Sequence, residues 1–313
     1  MNRGLVIKST GSWYSVLSDD DLMIDCKLKG KFKIKGIKST NPIAVGDYIR
    51  YQIVDGIGII NKIEDRKNYI IRKSTNLSKQ THIIASNIDQ ALLLVSLVNP
   101  RTTIGFIDRF LITAEAYEIT TILAFNKIDI YDSELMKELD FITKIYTSIG
   151  YQVVHISAKA NINLEHVKAI LKDKKTLLSG HSGVGKSASV NALDHTKTIK
   201  IGEISLSHSK GKHTTTNACM YSLIFGAFII DTPGIKEFGL TGFHRHELGH
   251  FFPEMRELLG KCKFNNCLHE NEKDCAVITA VKNGKIHENR YKSYLHILQD
   301  EDLLQWENQF RES

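Results

Sequence analysis

The chain has 313 residues, 42% hydrophobic and 24% charged, with a formal net charge of +6. That is length enough for two or three domains with cores of their own, and the composition excludes a disordered or fibrous chain. No apolar run reaches about 18 residues, and residues 1–8 lack the apolar core and cleavage site of a signal peptide, so the protein is expected to be cytoplasmic and without a membrane span.

Residues 1–72 read as short strands, at 5–8, 13–17, 21–26, 32–34, 48–54 and 57–60. Gly11 and Ser12, Ser18 to Asp20, Asn41 with Pro42, and Asp55 with Gly56 punctuate them. Number and spacing predict a small closed barrel of the OB type, with an SH3-like barrel as the alternative. The charge is concentrated here: residues 1–73 hold 14 Lys/Arg against 8 Asp/Glu, and the rest of the chain balances. Lys27, Lys29, Lys31, Lys33 and Lys35 alternate with Leu28, Gly30, Phe32 and Ile34. At strand period this sets the lysines on one face, which suits a phosphate backbone; a solvated strand face is the plainer reading.

Residues 65–74 read as a connector, after which strands and helices alternate. Residues 90–98 form a continuous apolar run, as in a central parallel strand. A helix over 106–118 sets Phe106, Phe110, Leu111 and Ala114 on one side. Strand 121–125, a helix over 133–149 and strand 151–156 follow, then helix 164–171, strand 175–179, a helix from 188 and a strand pair at 221–225 and 227–230. Such alternation predicts a parallel sheet covered on both faces. The expected domains are a barrel over 1–72, an α/β domain over 73–243 and a C-terminal domain over 244–313.

Between strand 175–179 and its helix lie Gly180, His181, Ser182, Gly183, Val184, Gly185, Lys186 and Ser187. They fit G-x-x-x-x-G-K-[ST], in which glycines let backbone N–H groups crowd phosphate oxygens, the lysine reaches the outer phosphates and the hydroxyl meets Mg²⁺. Asn126, Lys127 and Asp129 follow strand 121–125 as N-K-x-D. A carboxylate there can accept from the N1–H and 2-amino groups of guanine, an arrangement adenine lacks. Asn126 would orient the loop and reach the base edge, and the stem of Lys127 could pack along the base. Ser157, Ala158 and Lys159 follow the next strand, where a backbone N–H would meet the guanine 6-oxygen. Asp231 would hold Mg²⁺ through water, and the Gly234 N–H would meet the γ-phosphate. Residues 211–216 occupy the place of a first switch loop, whose Mg²⁺ ligand is Thr215 or Thr216.

The order of these motifs is unusual. The guanine-reading pair precedes the phosphate loop, and the Asp231 motif comes last, so the domain reads as circularly permuted. Compact domains tolerate this because their termini lie at the surface. The second switch then leads straight into the C-terminal segment, and nucleotide state is expected to set the position of residues 245–313.

Of five cysteines, Cys262, Cys267 and Cys275 cluster around His269. Three thiolates and an imidazole make a closed tetrahedral Zn²⁺ site, structural because no coordination position stays open. Residues 288–310 suggest an amphipathic helix with Tyr291, Leu295, Leu298 and Trp306 inward, packing on the metal module or on a partner.

Taken together, the barrel, the permuted motif order and the Cys262, Cys267, His269, Cys275 cluster resemble the RsgA (YjeQ/YloQ) family over nearly the whole chain. The resemblance implies GTP hydrolysis stimulated by the small (30S) ribosomal subunit, a late role in its maturation, and contacts to 16S rRNA through the barrel and zinc domains; a monomer is expected. Two positions depart from the family pattern: Ala188, where a hydroxyl near the α-phosphate is usual, and Lys212 in the first switch. Many GTPases place a glutamine after D-x-x-G to position water; Ile235 stands there and cannot. Slow intrinsic hydrolysis is expected, with His213 orienting the water once a partner orders its loop. An RNA-binding module that only senses GTP is the rival reading.

Overall fold

The computed structural model describes residues 1–28, 42–72, 82–196, 218–231 and 244–300. Five strands build the N-terminal barrel: β1 (Asn2–Thr10), β2 (Trp13–Ser18), β3 (Met23–Leu28), β4 (Tyr48–Val54) and β5 (Ile57–Ile63). They pair in the cyclic order β1-β2-β3-β5-β4-β1, with β3 and β5 parallel and the other pairs antiparallel. This is the five-stranded OB arrangement, and closure removes the free edges. Alternating inward residues Val6, Tyr14, Val16, Cys26, Ile49, Tyr51 and Ile60 fill it. Of the lysine stripe, Lys27 lies over the Trp13 ring at 3.9 Å; Lys29, Lys31, Lys33 and Lys35, like the expected strand 32–34, fall outside the described residues.

The expected connector is partly a strand. β6 (Tyr69–Arg72) pairs antiparallel with β7 (His82–Ser86), burying Ile70 against Ala85. A four-residue strand has too few alternations to show its period, and its partner lies beyond a gap in sequence. Nearby, the fully buried Asp47 carboxylate accepts from Ser86 Oγ at 2.6 Å, Ala44 N–H at 2.8 Å and Arg66 at 2.6 Å, tying the barrel to the end of β7.

The α/β domain is a sheet in the order β10-β9-β8-β11-β13-β12, comprising β8 (Gln90–Val95), β9 (Thr120–Phe125), β10 (Gln152–His155), β11 (Lys175–Ser179), β12 (Cys219–Ser222) and β13 (Phe228–Asp231). All pairs are parallel except β12–β13. Every residue of β8 is buried, as its unbroken apolar run requires. Residues 223–226 form the turn of the β12–β13 hairpin, so the strands are set back from the expected 221–225 and 227–230. β12 also pairs with β1 at Cys219 and Lys8, which joins sheet and barrel into one hydrogen-bonded surface.

Helices α1 (Ile104–Ala116) and α2 (Ser133–Ser148) cover one face; α3 (Leu164–Leu171) and α4 (Lys186–Leu193) cover the other. Thr103 and Asp132 cap the first two by accepting backbone N–H bonds. α1 is buried on more sides than one apolar stripe explains, with Ile107, Asp108, Phe110, Leu111, Ile112, Thr113 and Ala114 all inside. It lies between the sheet and the C-terminal module, whose core includes Ile112. That module comprises a 3-10 helix (Arg245–Phe251), then α5 (Pro253–Arg256), α6 (Ala276–Lys282) and α7 (Glu288–Leu298). α7 ends at Leu298, short of the expected 310, and Trp306 lies outside the described residues.

Candidate nucleotide site and metal centre

The loop between β11 and α4 takes the backbone that its glycines permit. Gly183 and Gly185 have φ of 81° and 105°, and a Cβ at Gly185 would collide with the Asn126 amide nitrogen. The Lys186 ammonium donates to the carbonyls of Gly180 at 2.6 Å and His181 at 3.0 Å, curling over the loop. Ser187 sits in the first turn of α4, Ala188 beside it is exposed, and Ser182 is exposed at the loop tip.

Asn126 joins four segments. Its N–H donates to Val95 at the end of β8 (2.8 Å), and its side-chain amide donates to Val184 O of the phosphate loop (2.9 Å). Its amide oxygen accepts from Ala158 N–H (3.1 Å), and its carbonyl accepts from the Tyr131 hydroxyl (2.9 Å). With both amide atoms bonded and only 2% of its surface exposed, Asn126 makes the loop-orienting contacts expected of it. Lys127, with φ of 69°, donates to Gly183 O at 2.9 Å and to Asn99 O. Asp129 is exposed and accepts from Ser157 Oγ at 2.5 Å, so the 157–159 turn steadies its carboxylate. Lys159 is exposed.

Asp231 ends β13, buried and opposite Leu178 of β11. Burial pushes its carboxyl above the usual range, against the pull of the Lys186 charge. His213, Thr215, Thr216, Gly234, Ile235 and Lys212 lie outside the described residues.

The loop before α1 and the first turn of α1 form a further wall that motif reading did not include. Pro100 lies 3.6 Å from where a Gly183 Cβ would stand, and the Phe106 and His181 rings are 3.9 Å apart. No short pattern marks these residues; their role comes from the approach of the start of α1 and its preceding loop to the distant phosphate loop.

In the C-terminal module, the donor atoms of Cys262, Cys267, His269 and Cys275 lie within 4.8 Å of one another. Cys262 and Cys275 sulfurs are 3.8 Å apart, and His269 Nδ1 is 3.6 Å and 3.3 Å from them. A tetrahedron with metal–sulfur bonds of about 2.3 Å has edges near these lengths, so the set can hold a metal ion. Burial pushes the Cys267 thiol up to about 12 and the His269 imidazole down. The cradle is tied to α7: Tyr291 and Tyr294 hydroxyls donate to the carbonyls of His269 (2.6 Å) and Leu268 (2.7 Å). The Glu272 carboxylate accepts from the Leu268, Glu270 and Asn271 N–H groups, which tightens the turn between the ligands.

A buried ion group docks this module on α1. Arg290, with 0% of its surface exposed, donates to Asp108 at 2.6 Å and to Glu254 at 2.7 Å and 3.2 Å. Tyr146 also donates to Asp108, at 2.8 Å. Helical period does not foretell this contact: Asp108 lies across α1 from the stripe of Phe106, Phe110, Leu111 and Ala114, and Arg290 lies to one side of the stripe of Tyr291, Leu295 and Leu298.

Barrel, permuted phosphate-loop domain and Cys₃His module together define a circularly permuted GTPase with a C-terminal module whose cysteines and histidine could hold a metal ion. Residues 63–241 match the family described as RsgA GTPase, and residues 3–60 match the RsgA N-terminal domain. The chain belongs to the RsgA GTPase family. It is 52% identical to the Small ribosomal subunit biogenesis GTPase RsgA of Christiangramia forsetii, over 96% of each chain. It is 53% identical to the protein of the same name from Flavobacterium psychrophilum, over 96% of this chain and 93% of that one. The crystal structure of YjeQ from Thermotoga maritima superposes with a TM-score of 0.78 at 32% identity, covering 97% of this chain and 98% of that one. The structure of YloQ, a circularly permuted GTPase, does so at 0.74 and 28%, covering 98% and 95%.

Proposed function

We propose that this GTPase acts on the small (30S) ribosomal subunit late in its maturation, contacts 16S rRNA, and hydrolyses GTP to GDP and phosphate faster when the subunit is bound. The observation that carries the nucleotide reading is the junction at Asn126, where motifs remote in sequence meet. The names of the relatives supply the subunit. In this reading the loop amides from Gly180 to Ser187 and the Lys186 ammonium hold the phosphates, and Asp129 reads guanine. Because Ala158 N–H is already bonded to Asn126, the amide assigned to the guanine 6-oxygen is that of Lys159. Ser187, with Thr215 or Thr216, would hold Mg²⁺, with Asp231 acting through water; the ion supplies charge neutralisation on the phosphates. His213 is assigned the positioning of water, since Ile235 cannot do it.

The soft donor set of the C-terminal cluster supports zinc in a structural role. The Trp13–Lys27 pair on the barrel supports an RNA-facing surface, because an aromatic ring beside a cation suits bases and phosphates together. A cytoplasmic monomer fits this work; among the described residues no helix is long and apolar enough to cross a membrane.

The test is GTP turnover with and without purified small subunits, with ATP as control. Stimulation specific to GTP is expected, and His213→Ala should lower stimulated turnover by about 100-fold while GTP binding persists. Nucleotide binding without stimulated turnover would favour a sensor.

A further inference from the structure

The N-K-x-D turn is clamped from behind by a side chain that no nucleotide motif includes. Residues Ile128–Ile130 form a single 3-10 turn, and Tyr131 follows it. The Tyr131 hydroxyl folds back to donate to the carbonyl of Asn126 at 2.9 Å, so one side chain spans both ends of the turn that carries Asp129. The same hydroxyl accepts the Leu97 N–H at 2.8 Å and lies 3.3 Å from Ser96 Oγ. Leu97 belongs to the loop that supplies Asn99 O to Lys127 and brings Pro100 against the phosphate loop. One phenol therefore fixes the guanine-reading turn to the wall before α1.

We propose that Tyr131 is a positioning residue for guanine discrimination, acting through the Asn126 carbonyl and the Leu97 N–H to set the angle of Asp129. The inference rests on the assignment of this pocket to guanine. Its physical basis is an asymmetry in what the base contact needs. Two simultaneous hydrogen bonds from N1–H and the 2-amino group to one carboxylate require a fixed turn, whereas the phosphate loop meets that turn through side-chain bonds of Asn126 and Lys127 in which Tyr131 takes no part. Without the hydroxyl, the buried Asn126 carbonyl and the Leu97 N–H lose a shared partner, and the turn is free to tilt. Ser157 still holds one oxygen of Asp129, so the carboxylate stays in the pocket with poorer aim.

Tyr131→Phe removes this one atom. The measurement is equilibrium binding of GDP and IDP to the full chain, read beside the melting temperature and turnover at saturating GTP. IDP lacks the 2-amino group and makes only one of the two bonds to Asp129. The expected result is a roughly tenfold weaker GDP affinity, the equivalent of one lost hydrogen bond. IDP should weaken less, so the GDP-over-IDP preference shrinks, with saturated turnover unchanged. Ile142→Val, a core trim on α2 remote from the turn, is the control: it should lower the melting temperature and leave the preference intact. Equal weakening of GDP and IDP, or an unchanged preference, would overturn the proposal while leaving the guanine assignment standing. A wild-type protein that does not prefer GDP to IDP would overturn that assignment and the proposal with it.

Discussion

The nucleotide cradle and the C-terminal module share α1 but are held by different forces. The cradle is a set of loops tied mostly by neutral hydrogen bonds to backbone carbonyls and amides, Asn126 to Val184 and Ala158 and Tyr131 to Asn126 and Leu97, with the Lys127 ammonium adding one solvent-facing bond to Gly183. Each bond is worth about 1 kcal/mol, so the loops can rearrange around a ligand. The module is held on α1 by charge taken out of water, along the face of Asp108, Ile112 and Glu115, with Arg256 pairing to Glu115 at its rim. Buried ion pairs are poor at adding stability but severe when broken, which makes such a joint all-or-none. A site that must bind and release is thus built on loops, and the joint beside it is rigid. Any shift of the module on nucleotide change has to move α1 with it or break the Arg290 group.

Four experiments test this contrast. The largest effect should come from metal removal: structural zinc contributes on the order of 10 kcal/mol in small modules. Chelation should unfold the segment around Cys262 to Cys275, seen as protease cleavage there, while GDP affinity changes less than about threefold, the range of one weak contact. Collapse of both together would show one cooperative unit and dissolve the contrast. Acid should mimic the chelator, because metal-bound thiolates must take up protons to let go.

Next, Arg290→Ala leaves Asp108 and Glu254 buried without their cation and should cost about 3–5 kcal/mol by denaturant unfolding. Combining Arg290→Met with Asp108→Asn and Glu254→Gln should recover most of that loss. Failure to recover would mean that the charges hold the joint by more than mutual compensation. In the cradle, Gly185→Ala forces a left-handed residue, at about 1–2 kcal/mol, and drives a methyl into Asn126. GDP affinity should fall at least tenfold with the module's melting untouched, checked by titration calorimetry.

The smallest effect concerns Asp231. Its carboxyl is raised by burial, so the folded protein holds that proton more tightly than the unfolded chain does. Stability of the nucleotide-free protein should therefore rise as pH falls through this raised value toward the usual carboxylate range. Asp231→Asn should melt slightly higher than wild type at neutral pH, and the two melting curves should converge in acid. A variant that melts lower at neutral pH would show the charge to be compensated.

Much of this molecule was legible in its residues. The phosphate loop, the N-K-x-D turn and the Cys262 to Cys275 cluster are contiguous patterns, because a phosphate, a base edge or a metal ion demands several groups from one short piece of backbone. The barrel and sheet followed from alternation and apolar runs, which are also local. What the residues did not disclose was everything that depends on a partner far away in sequence. β6 needed β7, Asn126 turned out to face Val184 and Ala158, and Arg290 met Asp108 across 182 positions. Periodicity set both charges off the apolar stripes of their helices and could not say that each would be buried, or against what. Only the tertiary packing of α1 between sheet and module decided that, because the cost of burying a charge is cancelled by one particular neighbour.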